Sequence, residues 1–421
     1  MTSKPLDLDV ESAPRFHPGK LFTPGLTLFN VGAFVALLTP VRLTLPLKVA
    51  ALVGDQDKAG AFGLVSAVAA VFAIVCGPLA GRLSDRTTSR FGMRRPWIAC
   101  GAVGAVLSLL LIAAAESLWQ VVVGWCLATI FINSAQAAAN ATVADQIAPD
   151  RRGLVSGIVG LGTPIAILTG SVIVDAFDGG VARFVAPGAI MLVFAMLFVG
   201  ILRDRKLTAR PGRFGLKEFA LSFVFNPRKN PNFGWLWIGR FAIQFGSTGV
   251  TTYLVYLLGD RFGVTGQALT GLVVVANLGS TVAMIASSYL MGWLSDRVGR
   301  RKPFVAAGSL IMALGLALVA FAPNLTMVTV AFTILGFGTG GFLAVDLALA
   351  TQVLPSRGDT AKDLGVLMVT NPLPLSVVPI IAPAVIALGA ATIGGYTLLF
   401  LLAAVIAVLG AACVYRIKGV S

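Results

Sequence analysis

Charged residues and histidine are scarce in this chain. Only 12% of its 421 residues are charged, whereas soluble domains carry about 25%. His17 is the only histidine and lies in the polar N-terminal segment, which excludes a histidine-based metal site or proton relay within an apolar segment. The four cysteines, Cys76, Cys100, Cys126 and Cys413, fall in apolar runs without metal-ligand spacing, so we expect them to be reduced packing residues.

Two further absences narrow the function. The first twenty residues, MTSKPLDLDVESAPRFHPGK, lack the apolar core of a signal peptide, so we interpret residues 1–20 as a cytoplasmic tail. The chain contains no P-loop motif and no nucleotide-binding domain, so ATP hydrolysis is not expected to drive it. We therefore expect neither an enzyme nor a protein with a bound cofactor or metal.

Apolar sequence is abundant instead. The chain is 57% hydrophobic, with a mean hydropathy of +0.89. A membrane-spanning helix needs about 20 apolar residues, which leaves room for roughly a dozen spans. We therefore predict an all-α integral membrane protein of twelve transmembrane helices. Its expected parts are an N-terminal six-helix bundle at 21–202, a cytoplasmic linker at 203–232 and a C-terminal six-helix bundle at 233–421.

The net charge of +14 is compatible with nucleic-acid binding, but the distribution of the basic residues is not. Most of the 32 Lys and Arg residues fall in the tail, alternate loops, the linker and the C-terminus. The other loops hold chiefly Lys58, Arg183 and Arg261, an asymmetry that follows the positive-inside rule. We expect a multi-pass protein of the cell (inner or plasma) membrane with both termini in the cytoplasm, the lipid bilayer as a partner and no nucleic acid.

A polar loop motif interrupts the apolar sequence twice. Gly81 to Ile98 reads GRLSDRTTSRFGMRRPWI, and a shortened copy, GWLSDRVGRRKPFV, runs from Gly292 to Val305. So many charges cannot lie in hydrocarbon, so each copy is predicted to be a short loop between two spanning helices. Because the copies stand about half the chain apart, they indicate two structurally related halves.

These loops resemble a signature of the major facilitator superfamily. G-x-L-S-D-R-x-x-x-R-x-G-x-R-R-P is similar to the loop between helices 2 and 3 of that superfamily, and the second copy is similar to the loop between helices 8 and 9. The expanded first copy resembles most the branch of plant sucrose symporters and their bacterial relatives. The resemblance implies two pseudo-symmetric six-helix bundles over the whole chain, with helices 1, 4, 7 and 10 lining a central cavity.

The resemblance also implies a gating role for the motif. Asp85 would face the start of helix 11 near Gly365, and Asp296 would face the start of helix 5 near Gly153, where a carboxylate can accept hydrogen bonds from a helix N-terminus. Such contacts would lock the cytoplasmic side when the protein opens outward. The basic residues either share this role or only set topology. The candidate gating residues are Asp85, Arg86, Arg90, Arg94, Asp296, Arg297 and Arg300.

Three charged residues are predicted to lie inside spans, namely Arg42, Arg240 and Asp346. A charge at membrane depth is costly, so it usually faces a partner or a water-filled cavity. Arg240 on helix 7 and Asp346 on helix 10 are expected at similar depth, so an ion pair between them is plausible. Its role is either proton coupling or a static link within the C-terminal half. Arg42 either meets substrate through its planar guanidinium or snorkels to the outer surface.

Polar residues recur at helical spacing on the helices expected to line the cavity. Such stripes indicate a hydrated path, although hydrogen bonds between helices give the same pattern. The candidate substrate-binding residues are Asn30, Arg42, Asn133, Gln136, Asn140, Gln244, Thr248, Asn277 and Asn371.

The sequence therefore predicts a secondary transporter in which two halves rock about a midplane site. The symporter resemblance favours proton-coupled uptake of a sugar or glycoside, with a small molecule and protons as partners and a monomer as the working unit. The alternative is proton-driven efflux of a drug or metabolite, because Gly160 to Pro164 on helix 5 faintly resembles the Gly-Pro motif of antiporters. A receptor or scaffold that does not transport is the least favoured option.

Overall fold

The computed structural model describes residues 19–148, 151–177, 180–206, 230–353, 366–367, 369–370 and 372–417. These residues form twelve successive helical spans, and no β-strand occurs among them. The spans are α1 Phe22–Val53, α2 Lys58–Ser84, α3 Arg95–Ala113, α4 Leu118–Gln146, α5 Arg152–Gly160 continuing as Gly162–Ala176, α6 Ala182–Ile201, α7 Pro231–Phe262, α8 Gly266–Val298, α9 Lys302–Ala320, α10 Leu325–Val353, α11 Pro372–Ala390 and α12 Gly395–Tyr415.

Length and composition make these helices membrane spans. Within the described ranges, eleven segments are long and apolar enough to cross a membrane, and α11 adds a shorter apolar helix, Val377–Ala390. The predicted fold class is thereby confirmed. The start of helix 11 expected near Leu364 lies outside the described residues, but a helical turn at 366–367 does stop before α11 begins at Pro372, close to the predicted break.

The first span is bent, as its prolines predict. An α-helix, Phe22–Thr39, passes through a π-helical turn, Pro40–Thr44, into a second α-helix, Leu45–Val53. The Leu45 N–H donates to the Pro40 carbonyl, five residues back, which is the π-helical pattern. Pro40 and Pro46 both lack an N–H group, so each removes one α-helical hydrogen bond at an end of this turn.

Small residues bring neighbouring helices close together in the C-terminal half. A Cβ atom at Gly336 on α10 would lie 2.1 Å from the carbonyl oxygen of Ser280 on α8. One at Gly338 would lie 2.3 Å from the backbone nitrogen of Met312 on α9. Without a hydrophobic force between helices in lipid, such close backbone contact is the main source of packing energy.

Contacts between the halves run along the sides of the molecule. α2 packs on α11, where Gly63 lies so near the Pro379 carbonyl that an added Cβ would be 2.3 Å from the oxygen. The second segment of α5, Gly162–Ala176, packs on α8. We call the end of the bundle that carries residues 85–94 and 299–301 the motif end. The end that carries residues 54–57 and 263–265 is the opposite end.

Candidate functional site

Arg240 of α7 and Asp346 of α10 form an ion pair inside the C-terminal half. The distance from Arg240 Nη1 to Asp346 Oδ2 is 2.7 Å, and the two side chains are only 6% and 2% exposed. A buried charge is tolerated at this depth because its counter-charge is in contact with it. The structure thus brings together the two residues predicted to pair, while a role in proton coupling remains a prediction.

The other polar positions of α7 continue from this pair. Gln244 is half-buried one turn beyond Arg240, and Thr248 is buried one turn further. Thr251 donates its hydroxyl to the carbonyl of Ser247, so its own helix uses this group. Gln244 and Thr248 therefore keep their candidate status, and Thr251 acts locally.

Asparagines join α1 to α4 in the N-terminal half. The Asn30 Nδ2 group donates to Asn140 Oδ1 at 3.1 Å and to the Leu26 carbonyl at 3.0 Å. Asn133 donates to the Thr129 carbonyl within α4, and Gln136 is buried. For Asn30 and Asn140 the observed contact is the hydrogen bond between helices that was the alternative to substrate binding.

Arg42 and Asn277 join the two halves. Arg42 lies in the π-helical turn of α1 and donates through Nη1 to Asn277 Oδ1 on α8 at 3.2 Å. A cavity beside this contact is bounded by α1, α5 and α8 and has mostly apolar walls, including Leu38, Ile167 and Val273. Asn371, the remaining candidate, lies outside the described residues.

A cluster of ionisable residues at the opposite end was missed by the sequence analysis. Lys58, at the start of α2, is buried with its Nζ 2.5 Å from Asp260 Oδ1 on α7 and 2.8 Å from Asp55 Oδ1. Tyr396 of α12 donates its hydroxyl to the other oxygen of Asp260 at 2.5 Å. The hydrogen bond from Lys58 lowers the pKa of the exposed Asp55 carboxyl. The sequence did contain a signal for this cluster, because Lys58 and Asp260 carry opposite charges and both lie near the ends of apolar segments.

Aromatic side chains close the bundle directly beneath this cluster. Tyr256 of α7 donates its hydroxyl to the Pro46 carbonyl of α1 at 3.0 Å, and the Lys58 ammonium lies 5.4 Å from the centre of its ring. Phe62 of α2 contacts Tyr253 and Tyr256 edge-on, with ring centres 6.1 and 5.9 Å apart. The two halves are therefore joined at the opposite end by an ion pair, a hydrogen bond and aromatic contacts.

Arg94 organises the first motif loop. Its side chain is 3% exposed and bonds to Asp85, to Asp145 Oδ2 at 3.0 Å and to Ser84 Oγ at 2.5 Å, all within the N-terminal half. The predicted contact of Asp85 near Gly365 involves residues outside the described ranges. In this conformation Asp85 pairs with a neighbour in its own loop, and its gating role stays a prediction.

Asp204, just after α6, holds the same loop and was not among the candidates. Its carboxylate accepts from the backbone N–H groups of Arg94 and Arg95 at 2.6 and 2.8 Å. Burial raises the pKa of this carboxyl, and the hydrogen bonds act in the other direction. Gly92 has φ +107°, and a Cβ there would lie 2.3 Å from Asp204 Oδ2, so only glycine fits.

The second motif loop is more open. Asp296 lies 3.8 Å from Arg301, so it too pairs within its own half, and no side-chain partner in helix 5 near Gly153 is described. Arg297 stacks over Trp293, with its guanidinium 5.4 Å from the ring centre, and Arg300 is exposed. In the first loop Arg90 stacks over Phe91 at 4.7 Å, and Arg86 is half-buried. Arg86, Arg90, Arg297 and Arg300 therefore remain candidate gating residues.

The described residues contain no group of three or more His, Cys, Asp or Glu side chains that could hold a metal ion. The arrangement offers instead a buried ion pair, a polar contact between the halves and a closed opposite end.

The sequence matches both a family model and individual known proteins. The family model of the Major Facilitator Superfamily matches residues 25–291 and 271–420. The tetracycline resistance protein, class G, of Vibrio anguillarum is 28% identical over 346 residues, covering 80% of this chain and 82% of the relative. The multidrug resistance protein MdtG of Rahnella sp. is 23% identical over 306 residues, covering 71% of each chain.

A solved structure has the same fold. The crystal structure of a bacterial homologue of the human lysosomal transporter Spinster, in an inward-facing and occupied conformation, aligns with a TM-score of 0.73. The alignment covers 95% of this chain and 97% of that chain at 16% identity. At this identity the likeness shows the fold and does not identify a substrate.

Proposed function

Since the chain belongs to the Major Facilitator Superfamily, we propose that it is a proton-driven exporter of a small organic solute. Transport across the membrane is the function of the family, and the direction and driving force are our proposal. The expected sugar-symporter branch lacks support, because the relatives are named for tetracycline and multidrug resistance. The efflux alternative is therefore the better-supported function.

The observation that carries the export proposal is the likeness to drug-resistance proteins along most of the chain. One local feature agrees with it. The hydrogen bonding of α5 is interrupted at Leu161, within the Gly160–Pro164 sequence that resembles an antiporter motif. A Cβ atom added at Gly162 would lie 3.4 Å from the Cβ of Asn30 on α1, so the break faces a neighbouring helix rather than lipid alone.

Proton coupling is proposed for Asp346. A coupling group must be ionisable and must change protonation as solute binds or the conformation changes. Asp346 is the membrane-interior carboxylate predicted from the sequence, and its negative charge is stabilised by Arg240 at 2.7 Å. A solute that engages Arg240 would weaken that contact, which favours the protonated carboxylic acid in its buried surroundings.

The direction of access is also part of the proposal. The arginine-rich loops favour the motif end as the cytoplasmic side. On that topology the end closed by Lys58, Asp260 and Tyr256 faces the outside, and solute enters from the cytoplasm. Such a conformation is the starting state that an exporter needs.

Inside-out membrane vesicles test the proposal. Tetracycline and ethidium are the probes, and an imposed pH gradient, acid inside, is the driving force. We expect accumulation of at least one probe in the vesicles with the wild-type protein and none with Asp346→Asn at equal expression. Proton-driven sucrose uptake into right-side-out vesicles, without accumulation of either probe in inside-out vesicles, would refute export.

A further inference from the structure

Arg42, which is half-buried, differs in its contacts from the buried basic residues Arg240 and Lys58. Arg240 meets Asp346, and Lys58 meets Asp260. Arg42 donates to a neutral amide, Asn277, and no carboxylate lies within ion-pair distance of it among the described residues. Its positive charge is therefore not balanced by a neighbouring side chain.

The depth of Arg42 makes this imbalance significant. It precedes the end of α1 at Val53 by about 16 Å along the helix, and Asn277 follows the start of α8 at Gly266 by a similar distance. Lys48, closer to the helix end, uses its ammonium on the Ala113 carbonyl at the end of α3. Below the headgroup level, an unbalanced guanidinium favours the approach of an anion.

The surroundings of Arg42 leave a small cleft of about 20 Å³, which has room for a small charged group. Leu38, Ile167 and Val273 supply apolar walls, and Thr39 and Asn277 supply polar atoms. Thr39 Oγ1 is buried and has no hydrogen-bond partner among the described residues. Arg42 itself lies in a π-helical turn, a feature that often marks functional sites.

We propose that this cleft binds the negatively charged group of an amphipathic organic anion, which is the transported solute. The inference rests on the proposed function and names its substrate class. A carboxylate or sulfonate fits the guanidinium of Arg42 through two parallel hydrogen bonds. Asn277 accepts from Arg42 through Oδ1, so its Nδ2 group can donate to the same anion.

The position of the two residues ties binding to the transport cycle. Arg42 belongs to α1 and Asn277 to α8, so an anion bound by both spans the two halves. When the halves move apart at this level, one set of hydrogen bonds is lost and the anion is released. The guanidinium selects the charge of the solute, and the cleft admits only its charged group.

The headgroup of an acidic phospholipid offers the same chemistry as a soluble organic anion. A test must separate these sources. We choose 1-naphthalenesulfonate and 1-naphthyltrimethylammonium, which share an aromatic body and differ in charge. Binding is measured by equilibrium dialysis on the full chain in phosphatidylcholine nanodiscs and in nanodiscs that also contain phosphatidylglycerol.

The wild-type protein should bind the sulfonate and discriminate against the ammonium probe. Arg42→Met should weaken sulfonate binding about tenfold to a hundredfold, because a charge-assisted pair of hydrogen bonds is lost. Lys48→Met is the matched control, since it removes a charge from the same helix away from the cleft, and it should bind as the wild type does. Asn277→Asp should also abolish binding, because it places a carboxylate on Arg42 and keeps the side-chain shape.

Two results would overturn the proposal. One is equal sulfonate affinity in the wild type, Arg42→Met and Asn277→Asp. The other is competition by lipid, in which the Arg42-dependent binding of the sulfonate is lost when the nanodiscs contain phosphatidylglycerol. That result would identify a lipid headgroup as the occupant. Dialysis needs no proton gradient, so failure here would leave pH-driven export of the probes above intact. Failure of export would likewise leave sulfonate binding measurable.

Discussion

Lys58 Nζ and Asp260 Oδ1 lie 2.5 Å apart, and this ion pair joins α2 to α7 across the two halves of the molecule. Asp260 is held from its other oxygen by Tyr396 of α12. Any motion that separates the halves at this end must break the ion pair. The same motion must also break the Tyr256 hydrogen bond to Pro46.

The first prediction concerns this closure. Lys58→Met or Asp260→Asn should speed amide hydrogen exchange over residues 46–62 and 253–262 by about fivefold to tenfold, because each removes a charge-assisted contact between the halves. Hydrogen exchange with mass spectrometry is the measurement. Arg261→Met is the control, since Arg261 bonds to Ala320 within its own half. If exchange is unchanged in both variants, or rises equally in Arg261→Met, the Lys58–Asp260 pair does not hold the opposite end closed.

The second prediction separates coupling from support at Arg240 and Asp346. Arg240→Met should destabilise the protein by about 3–5 kcal/mol, because it leaves a buried carboxylate without its counter-charge. Asp346→Asn combined with Arg240→Met should recover thermal stability. Asp346→Asn alone also leaves a buried charge unpaired and should lose stability, but the protein that folds should exchange solute without concentrating it with a pH gradient. If that variant still concentrates solute, Asp346 is not the coupling group.

The third prediction concerns the motif carboxylates. Asp85→Asn and Asp296→Asn keep the side-chain shape and remove a charge. Both variants should slow transport by about tenfold or more, because the contacts predicted to gate transport form in another conformation. The melting temperature should change little, because Arg94 keeps its contact with Asp145 and Asp296 is exposed. Rates are measured in proteoliposomes at matched protein content. Wild-type rates in both variants would limit the motif to topology.

The fourth prediction tests the first motif loop. Gly92→Ala and Gly54→Ala both place a Cβ at positive φ, +107° and +80°, but only the Cβ at Gly92 collides with a side chain, that of Asp204. Gly92→Ala should therefore lower stability by about 1–2 kcal/mol more than Gly54→Ala, because it also displaces the cap of α3. Denaturation of each variant in the same detergent measures the difference in stability. Equal losses of stability in the two variants would contradict the role of Asp204 as the cap of α3.

The fold could be predicted because its signals are local. Twelve apolar segments and a repeated loop need no knowledge of tertiary contacts. The Arg240–Asp346 contact could also be predicted, since charges deep in a span need partners and these two share a depth. The Lys58–Asp260 pair was missed because charges near helix ends are normally solvated. Asp204 was missed because the sequence around a polar residue that follows a helix does not show which distant backbone groups it will bind.

The branch of transporters, and with it the solute, could not be predicted from the sequence. The loop that contains Asp85 and Arg94 is predicted to serve the motion of the halves and not to contact the solute, so its sequence does not identify the solute. The residues proposed to select a solute, Arg42 and Asn277, come from helices more than two hundred positions apart. Their contact depends on the packing of the halves, which a local pattern does not encode.

The wide turn at Pro40–Thr44 has a consequence for the orientation of α1. One additional residue in a turn shifts the phase of every later side chain by about 100° relative to a continuous α-helix. The segments Phe22–Thr39 and Leu45–Val53 of α1 therefore present faces that a single helical wheel cannot describe. Conversion of this turn to regular α-helix would rotate the segment Leu45–Val53, including Lys48, as a unit relative to Phe22–Thr39. The turn is therefore a point at which α1 can change the direction of its side chains without unfolding.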